Sequence, residues 1–140
     1  MNHIQPGAYT ALQVLEKYLA STSIHPIHKE LIKVRASQIN GCAFCLDMHT
    51  RDARKLGETE QRLYLLNAWR EAPQFSEQER VILAMTEEVT LIHQRGLTPE
   101  TYEQAIHHFG ETGAAEIIMA IVSINSWNRI SIATHRMPGQ

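Results

Sequence analysis

The chain has 140 residues, 44% of them hydrophobic, and a net charge of −2 at pH 7. This length predicts a single domain over residues 1–140, large enough to bury roughly 70% of its unfolded surface. A charge so near neutrality gives no electrostatic basis for binding nucleic acid or an anionic membrane. The N-terminus lacks an apolar signal core, and no apolar run approaches bilayer-spanning length. We therefore expect a cytoplasmic protein with neither nucleic acid nor membrane as a partner.

The first half of the chain predicts three helices. A helix over residues 7–20 has an apolar stripe of Ala8, Leu12, Leu15 and Leu19. After a loop, a second helix starts at His25-Pro26, because proline is tolerated in the first helical turn. Asn40-Gly41 is a turn signal, so this helix should fold back as an antiparallel hairpin on a third. The third helix should end at Leu56-Gly57, since glycine is a natural helix terminator.

The second half also predicts helices. Residues 59–71 form a short helix that ends before Pro73. Ser76 and Glu79 then make a capping box that opens a helix reaching to Gly96. The apolar stripe of that helix comprises Ile82, Met85, Val89 and Ile92. The last two helices run from Thr98-Pro99 to Phe109-Gly110 and from Thr112 to about Ile132. No segment alternates as a strand does, so we expect an all-α, bundle-like fold of about seven helices.

The final helix is apolar around nearly its whole circumference. The residues concerned are Ala114, Ala115, Ile117, Ile118, Ala120, Ile121, Val122 and Ile124. A helix of this kind must be buried on all sides. Two explanations remain open at this point: the helix contributes to an interface between copies of the chain, or it is the central helix of one copy.

The reactive side chains concentrate in the third helix. It contains the only two cysteines, Cys42 and Cys45, and His49 follows four residues later. At about 100° per residue, Cys45 lies near −60° and His49 near −20° from Cys42, on the same stripe as Leu46, Ala53 and Leu56. A C-x-x-C pair in a reducing compartment is more often catalytic or metal-binding than a structural disulfide. A helix beginning near Cys42 would also lower the thiol pKa values.

Glu30 is the candidate partner of this group. The hairpin at Asn40-Gly41 brings Glu30 level with His49 more nearly than with either cysteine, given a rise of about 1.5 Å per residue. We therefore expect a relay in which Glu30 contacts His49 and His49 serves Cys45. Because Glu30 lies between Ile27 and Val34, desolvation should raise its pKa, which would suit a base.

These residues resemble the carboxymuconolactone decarboxylase superfamily, and its alkylhydroperoxidase D-like branch in particular. The matching pattern is Glu30, then N-G-C-x-x-C at 40–45, then His49 and a helix ending at Leu56-Gly57. Similarity continues through Leu66 to Trp69 and Asn125 to Arg129, so that it covers most of the chain after residue 20.

The resemblance implies a peroxiredoxin-type antioxidant enzyme that reduces hydroperoxides. Cys45 would attack the peroxide, Cys42 would resolve the product as a disulfide, and Glu30 with His49 would form the proton relay. An external dithiol, thioredoxin-like or lipoyl-type, would restore the thiols, with no metal or organic cofactor. Members with a single repeat commonly form trimers or hexamers. The chain departs from some peroxidases of this family at Phe44, where they carry a second histidine.

Three alternatives stay open from the sequence. Cys42, Cys45, His49 and either Glu30 or His93 make a possible zinc ligand set. A decarboxylase needs a base and cationic groups but no thiol pair, and a thiol sensor needs the same two thiols as a peroxidase. The remaining histidines are expected to be surface or structural residues: His3, His25, His28, His107, His108 and His135. Trp69, Trp127 and Tyr64 are expected in a core or an interface, unless one of them lines a substrate pocket.

Overall fold

The computed structural model describes residue 3 and residues 5–139, and within them every regular element is helical. The α-helices are α1 (Pro6–Ala20), α2 (Pro26–Asn40), α3 (Ala43–Lys55), α4 (Glu60–Leu65), α5 (Glu77–Thr90), α6 (Ile92–Arg95) and α7 (Pro99–Ala133). A 3₁₀ helix (Leu66–Glu71) follows α4. The predicted all-α fold is confirmed. None of the described helices has the length and apolar character needed to cross a bilayer.

The helix α2 is the centre of the fold, since it packs against α3, α5 and α7. Its sequence sets both of its ends. The His25 side chain accepts a hydrogen bond from the Ile27 N–H, and Pro26 occupies the first turn. Gly41 ends the helix with φ of 71°, a left-handed conformation that glycine adopts without steric cost. The chain then reverses directly into α3.

Two apolar clusters lie on either side of α2. One includes Ile32 of α2 and Ile121 of α7, and the other includes Leu31 of α2, Ala53 of α3 and Leu83 of α5. Adjacent residues of α2 therefore enter different clusters, and α2 links them. Burial of both faces fixes the rotation of α2 about its axis, and with it the direction in which Glu30 projects.

Two of the predicted helices differ from the observed elements. Residues 60–71 form a short α-helix and then a 3₁₀ helix, with Ala68 outside helical geometry. The guanidinium of Arg80 donates to the carbonyls of Trp69 and Ala72, which replaces the hydrogen bonds that a continuing α-helix would supply. The predicted helix 76–95 is interrupted at Leu91, so that Ile92 lies exposed on α6 and does not extend the buried stripe.

The long helix α7 contains the predicted break at Gly110. This residue has φ of 70° and ψ of 174°, a backbone conformation that is reached almost only by glycine. After the break, Ile117, Ile121 and Ile124 are buried within one copy of the chain, whereas Val122 stays 41% exposed. The apolar character of this segment is therefore explained largely by its position in the core of a single copy.

Candidate active site

The two cysteines lie at the start of α3 and form a disulfide with an S–S distance of 2.06 Å. Cys42 is the N-cap of α3, and its sulfur accepts a hydrogen bond of 3.2 Å from the Cys45 N–H. Cys45 belongs to the first helical turn. Both are buried, with exposed fractions of 1% and 2%. The start of the helix near Cys42 is confirmed, and it places both sulfurs where the partial positive charge of a helix N-terminus favours an anion.

Cys45, His49 and Ala53 form a buried stripe along α3, as the helical spacing predicts. The prediction that Leu56 lies on the same stripe is wrong, because Leu56 is the C-cap of the helix and is exposed. The stripe faces α2 because the turn at Gly41 makes α2 and α3 neighbours.

The predicted contact between Glu30 and His49 is confirmed. Nδ1 of His49 lies 3.1 Å from Oε2 of Glu30, and both side chains are buried. An ionised carboxylate only accepts hydrogen bonds, so Nδ1 must carry the proton that is shared with Glu30. Nε2 is then the nitrogen left to exchange a proton with a substrate or a thiol. Such an acceptor behind the imidazole fixes both its tautomer and its orientation.

The expected rise in the pKa of Glu30 is wrong. Burial does raise the pKa of this carboxyl and is the largest single influence on it. The hydrogen bond from His49 and the nearby charges of Lys33 and His49 together outweigh burial and bring the pKa below its ordinary value. Glu30 is therefore a carboxylate at neutral pH, so that it orients His49 and stabilises a positive charge there.

Sequence inspection missed Lys33 and Asp52. The Lys33 ammonium lies 3.1 Å from Oε1 of Glu30, and a carboxylate oxygen of Asp52 lies 4.0 Å from Nδ1 of His49. Lys33 follows Glu30 by three residues on α2, a spacing at which helical side chains meet, so the sequence did contain this signal. Asp52 occupies the same relation to His49 on α3.

The zinc ligand set is not brought together. The two sulfurs bond to each other, and His93 lies exposed on α6. Among the described residues, ligand atoms of Glu30, His49 and Asp52 do lie within 4.8 Å of one another. However, the ammonium groups of Lys33 and Lys55 already lie 3.1 Å and 3.6 Å from the two carboxylates. These carboxylates are thus already compensated by cations of the chain itself.

A cavity of about 250 Å³ opens beside the disulfide. Cys45 and His49 both line it, whereas Cys42 is not part of its wall. The rest of the wall comes from α1, α2, α3, α7 and the segment after α7: Tyr9, Glu16, Lys33, Phe44, Met48, Ile124, Trp127, Ser131 and Arg136. A small molecule in this cavity therefore lies next to both Cys45 and His49. The cavity is referred to below as the Cys45 pocket.

A buried amide network supports the turn that leads into Cys42. The Nδ2 of Asn40 donates to the side-chain oxygens of Asn125 and Asn128, each at 2.9 Å. Asn128 is fully buried and donates in turn to the Ser37 hydroxyl at 2.9 Å. The network ties the end of α2 to α7, so it positions the disulfide without touching it. Cooperative polar networks of this kind favour one unique arrangement.

The other residues singled out from the sequence lie elsewhere. Trp127 does line the Cys45 pocket, while Trp69 is buried and donates to Glu87 at 2.9 Å. Tyr64 is 67% exposed, so it does not lie in the core of one copy, and its place in an interface stays a prediction. His25 caps α2, and His28 lies 3.7 Å from Glu79. His107 and His135 are exposed.

Comparison with known proteins identifies the family. The model of the carboxymuconolactone decarboxylase family matches residues 6–88, a segment that includes Glu30, both cysteines and His49. The chain belongs to this family. Within it, the similarity reaches the alkylhydroperoxidase D-like branch, as the sequence pattern predicts.

Individual relatives extend this result. The chain is 47% identical over 130 residues to the uncharacterized protein YdfG of Bacillus subtilis strain 168, covering 93% of this chain and 88% of YdfG. The crystal structure of ATU0492 from Agrobacterium tumefaciens, a protein of unknown function provisionally described as antioxidant defence protein AhpD, superposes with a TM-score of 0.94 at 38% identity. That similarity covers 99% of this chain and 95% of ATU0492.

A third similarity is to an uncharacterized peroxidase-related protein from Silicibacter sp. TM1040. Its TM-score is 0.81 at 25% identity, over 93% of this chain and 69% of that protein. The fold is therefore shared with both crystal structures, whose names refer to antioxidant defence and to peroxidases.

Proposed function

We propose that the protein is a thiol-dependent hydroperoxidase in which Cys45 attacks the peroxide and Cys42 resolves the product. The observation that supports this most directly is the lining of the pocket: Cys45 and His49 belong to its wall, whereas Cys42 does not. A substrate that enters the pocket reaches only one of the two thiols. Access to the pocket therefore favours Cys45 as the attacking thiol.

The oxidation step uses the Cys45 thiolate and the hydroperoxide ROOH. The sulfur attacks the outer peroxide oxygen, the O–O bond breaks, and Cys45 becomes a sulfenic acid while RO⁻ departs. His49 takes the thiol proton before the attack and returns it to RO⁻ as the alcohol forms. The Glu30 carboxylate, 3.1 Å from Nδ1 of His49, stabilises the transient imidazolium.

Resolution and reduction complete the cycle. The Cys42 thiol loses its proton and its sulfur attacks the Cys45 sulfenic sulfur, which gives the disulfide. The hydroxide that departs takes up this proton and leaves as water. A dithiol then attacks the sulfur of Cys45, the cysteine in the pocket wall, and Cys42 leaves as a thiolate. A second attack by the reductant releases Cys45 and the oxidised reductant. The N–H of Cys45, 3.2 Å from the Cys42 sulfur, favours Cys42 as the leaving thiolate.

The proposed partners follow from this cycle. They are an organic or inorganic hydroperoxide and a thioredoxin-like or lipoyl-type dithiol, with no metal or organic cofactor in any step. The cycle uses only groups that the chain supplies and a dithiol that the cytoplasm, the expected location, provides.

We also propose a homo-oligomer, a trimer or hexamer as the family resemblance implies. Apolar side chains that stay exposed on one copy support this, namely Val14 and Tyr18 on α1 and Val122 and Ile132 on α7. Light scattering of the wild type and of Val122→Glu tests the proposal, because a charge at an exposed position disrupts an interface without disturbing the core. A stable monomer at micromolar concentration for the wild type would contradict it.

A decarboxylase activity on a lactone acid is the second candidate function. The cationic side chains of Lys33 and Arg136 in the wall of the Cys45 pocket favour it, because such a substrate carries carboxylates. This chemistry needs a base but no thiols, and the double substitution Cys42→Ser with Cys45→Ser separates the two functions. Release of carbon dioxide that survives the loss of both thiols would support a decarboxylase.

The decisive experiment measures hydroperoxide consumption with several dithiols, alongside metal analysis of the purified protein. A peroxidase turns over many times per chain, with one dithiol oxidised for each peroxide. A thiol sensor forms the disulfide once and accumulates in the oxidised state. Stoichiometric zinc with thiols that resist oxidation would argue for a metal site and against the proposed function.

A further inference from the structure

The segment that follows α7 brings a guanidinium to the Cys45 pocket. The backbone of Arg136 donates to the Ser131 carbonyl at 2.9 Å, and His135 before it has a positive φ of 55°. This reversal lays the Arg136 side chain over Phe44, with its guanidinium carbon 3.9 Å from the centroid of the ring. Phe44 is the neighbour of Cys45 in sequence, and both residues line the pocket with Arg136.

The charges around the pocket leave this guanidinium without an acidic partner. Lys33 already pairs with Glu30 at 3.1 Å. The Oε1 atom of Glu16 accepts hydrogen bonds from Ser123 and Trp127 at 2.5 Å and 3.1 Å. Among the described residues, no carboxylate forms an ion pair with Arg136. Glu16 adds one negative charge to the same wall, but it does not pair with Arg136. A guanidinium that contacts a pocket and has no carboxylate partner can bind an anion there.

The geometry also favours a planar anion. The contact with the Phe44 ring restrains the guanidinium, and a restrained guanidinium loses less freedom when it binds a carboxylate through two parallel hydrogen bonds. The surrounding wall is mostly apolar, with Met48, Ile124 and Trp127. The volume of about 250 Å³ is below that of most drug-sized sites. The matching ligand is therefore small and largely apolar, with one carboxylate.

We propose that the Cys45 pocket selects small carboxylate-bearing molecules, with the carboxylate on Arg136 and the reacting group at Cys45. Combined with the proposed hydroperoxidase function, on which this part rests, the preferred substrate is an organic hydroperoxide that carries a carboxylate. Phe44, which replaces the second histidine of some family members, supports the arginine in this role.

The selectivity can be tested without any peroxidase assay. Reduced Cys42→Ser protein, in which Cys45 is the only thiol, is alkylated with iodoacetate and with iodoacetamide. These reagents have similar size and the same iodide leaving group, but only iodoacetate carries a carboxylate. The ratio of the two rate constants cancels the thiolate fraction, because both reagents consume the same thiolate.

We expect Arg136→Gln in this background to lower the iodoacetate-to-iodoacetamide ratio about tenfold, the lower range for a hydrogen bond to a charged group. Arg136→Lys should retain part of the preference. Arg51→Gln removes the same charge from the exposed face of α3, outside the pocket wall, and should leave the ratio unchanged. An unchanged ratio in Arg136→Gln, or an equal loss in Arg51→Gln, would overturn the carboxylate site.

Two pairs of compounds then show whether the carboxylate that binds at Arg136 belongs to the hydroperoxide or to the reductant. One pair is a tertiary alkyl hydroperoxide ending in a carboxylate and its methyl ester, and the other is dihydrolipoate and dihydrolipoamide. A preference in kcat/KM for the acid hydroperoxide that Arg136→Gln removes supports the proposed substrate class. A preference confined to dihydrolipoate overturns it and assigns the site to the reductant. If the alkylation ratio depends on Arg136 but no hydroperoxide is consumed, the carboxylate site stands and the hydroperoxidase function fails.

Discussion

Two carboxylates in this protein are similar in their burial and in their pKa shift but differ in the side chains that they contact. Glu30 and Glu79 are 7% and 8% exposed, and in both the pKa lies below its ordinary value. Each lies near a histidine, His49 at 3.1 Å and His28 at 3.7 Å, and each has a cationic partner. Burial, a perturbed pKa and an adjacent histidine therefore do not by themselves identify a catalytic carboxylate.

The partners distinguish the two sites. Glu79 accepts hydrogen bonds from two nitrogens of Arg62 and closes the capping box of α5 through the Ser76 N–H. Arg62 also bonds Glu58, so that the carboxylate is one part of a clamp between α4 and α5. Glu30 instead holds an imidazole that lines a pocket together with a cysteine. The site around Glu30 contains a side chain that can react, namely the cysteine. The Arg62 clamp contains only side chains that form stabilising contacts.

The largest expected difference between the two sites concerns the thiols. Cys45→Ser should abolish hydroperoxide turnover and sulfenic acid formation, whereas Cys42→Ser should accumulate the sulfenic acid because no resolving thiol remains. Trapping with a dimedone probe followed by mass spectrometry measures this. Glu79→Gln is the matched control and should keep wild-type activity per folded molecule. Sulfenic acid found on Cys42 would reverse the assigned roles.

The relay should have the next largest effect. Glu30→Gln and His49→Ala should each slow the reaction of Cys45 by about 10²–10⁴-fold, the usual contribution of a positioned acid–base group. Because Glu30 acts through His49, the double variant should be little worse than either single variant. The pH profile of Cys45 alkylation is the measurement. A profile that matches the wild type in both single variants would leave Glu30 and His49 as structural neighbours.

Substitutions in the clamp should lower the stability of the fold, whereas substitutions in the relay should lower the reaction rate of Cys45. Glu79→Ala should lower the free energy of unfolding by about 3 kcal/mol, because it leaves Arg62 partly unpaired in a mostly buried position and removes the Glu79 half of the capping box of α5. Urea unfolding measures the change. Glu77→Ala, at an exposed position in the same helical turn, is the control and should have a small effect. Equal losses in the two variants would show that the clamp is not specific.

The free energy of unfolding at acidic pH should also distinguish Glu79 from Glu30. The pKa values of Glu30 and Glu79 in the folded protein lie below the ordinary value of 4.5. The unfolded chain therefore binds more protons in acid, so the free energy of unfolding falls as the pH drops below about 4.5. The depression is larger for Glu79, so Glu79→Gln should flatten this pH dependence more than Glu30→Gln does. Unfolding titrations across this range would contradict the comparison if the order were reversed.

The smallest expected effect is that of Phe44→His. This change adds the histidine that some peroxidases of the family carry, so we expect a modest gain in turnover with simple alkyl hydroperoxides. It also removes the ring beneath Arg136, so the preference of Cys45 for iodoacetate should fall. Steady-state kinetics and the alkylation ratio measure the two effects separately. Unchanged values for both would show that position 44 contributes to neither.

The sequence by itself determined the features that rest on short-range geometry. The starts of α2, α5 and α7 follow from His25-Pro26, the Ser76 and Glu79 capping box, and Thr98-Pro99, because caps act within a few residues. Helical spacing likewise placed Cys45 and His49 on one buried stripe. The turn at Gly41 then sufficed to bring Glu30 to His49, since two packed helices of known rise leave little freedom in register.

The tertiary structure decided the features that depend on distant parts of the chain. The Arg80 side chain of α5 donates hydrogen bonds to carbonyls at the end of the 3₁₀ helix that follows α4. No local sequence pattern predicts this contact. The pKa of Glu30 fell because Lys33 and His49 converge on it, although its apolar sequence neighbours predicted the opposite. Arg136 reaches Phe44 from more than ninety residues away. Packing sets such encounters, and the electrostatics of a buried group depend on all its spatial neighbours, which sequence order alone does not supply.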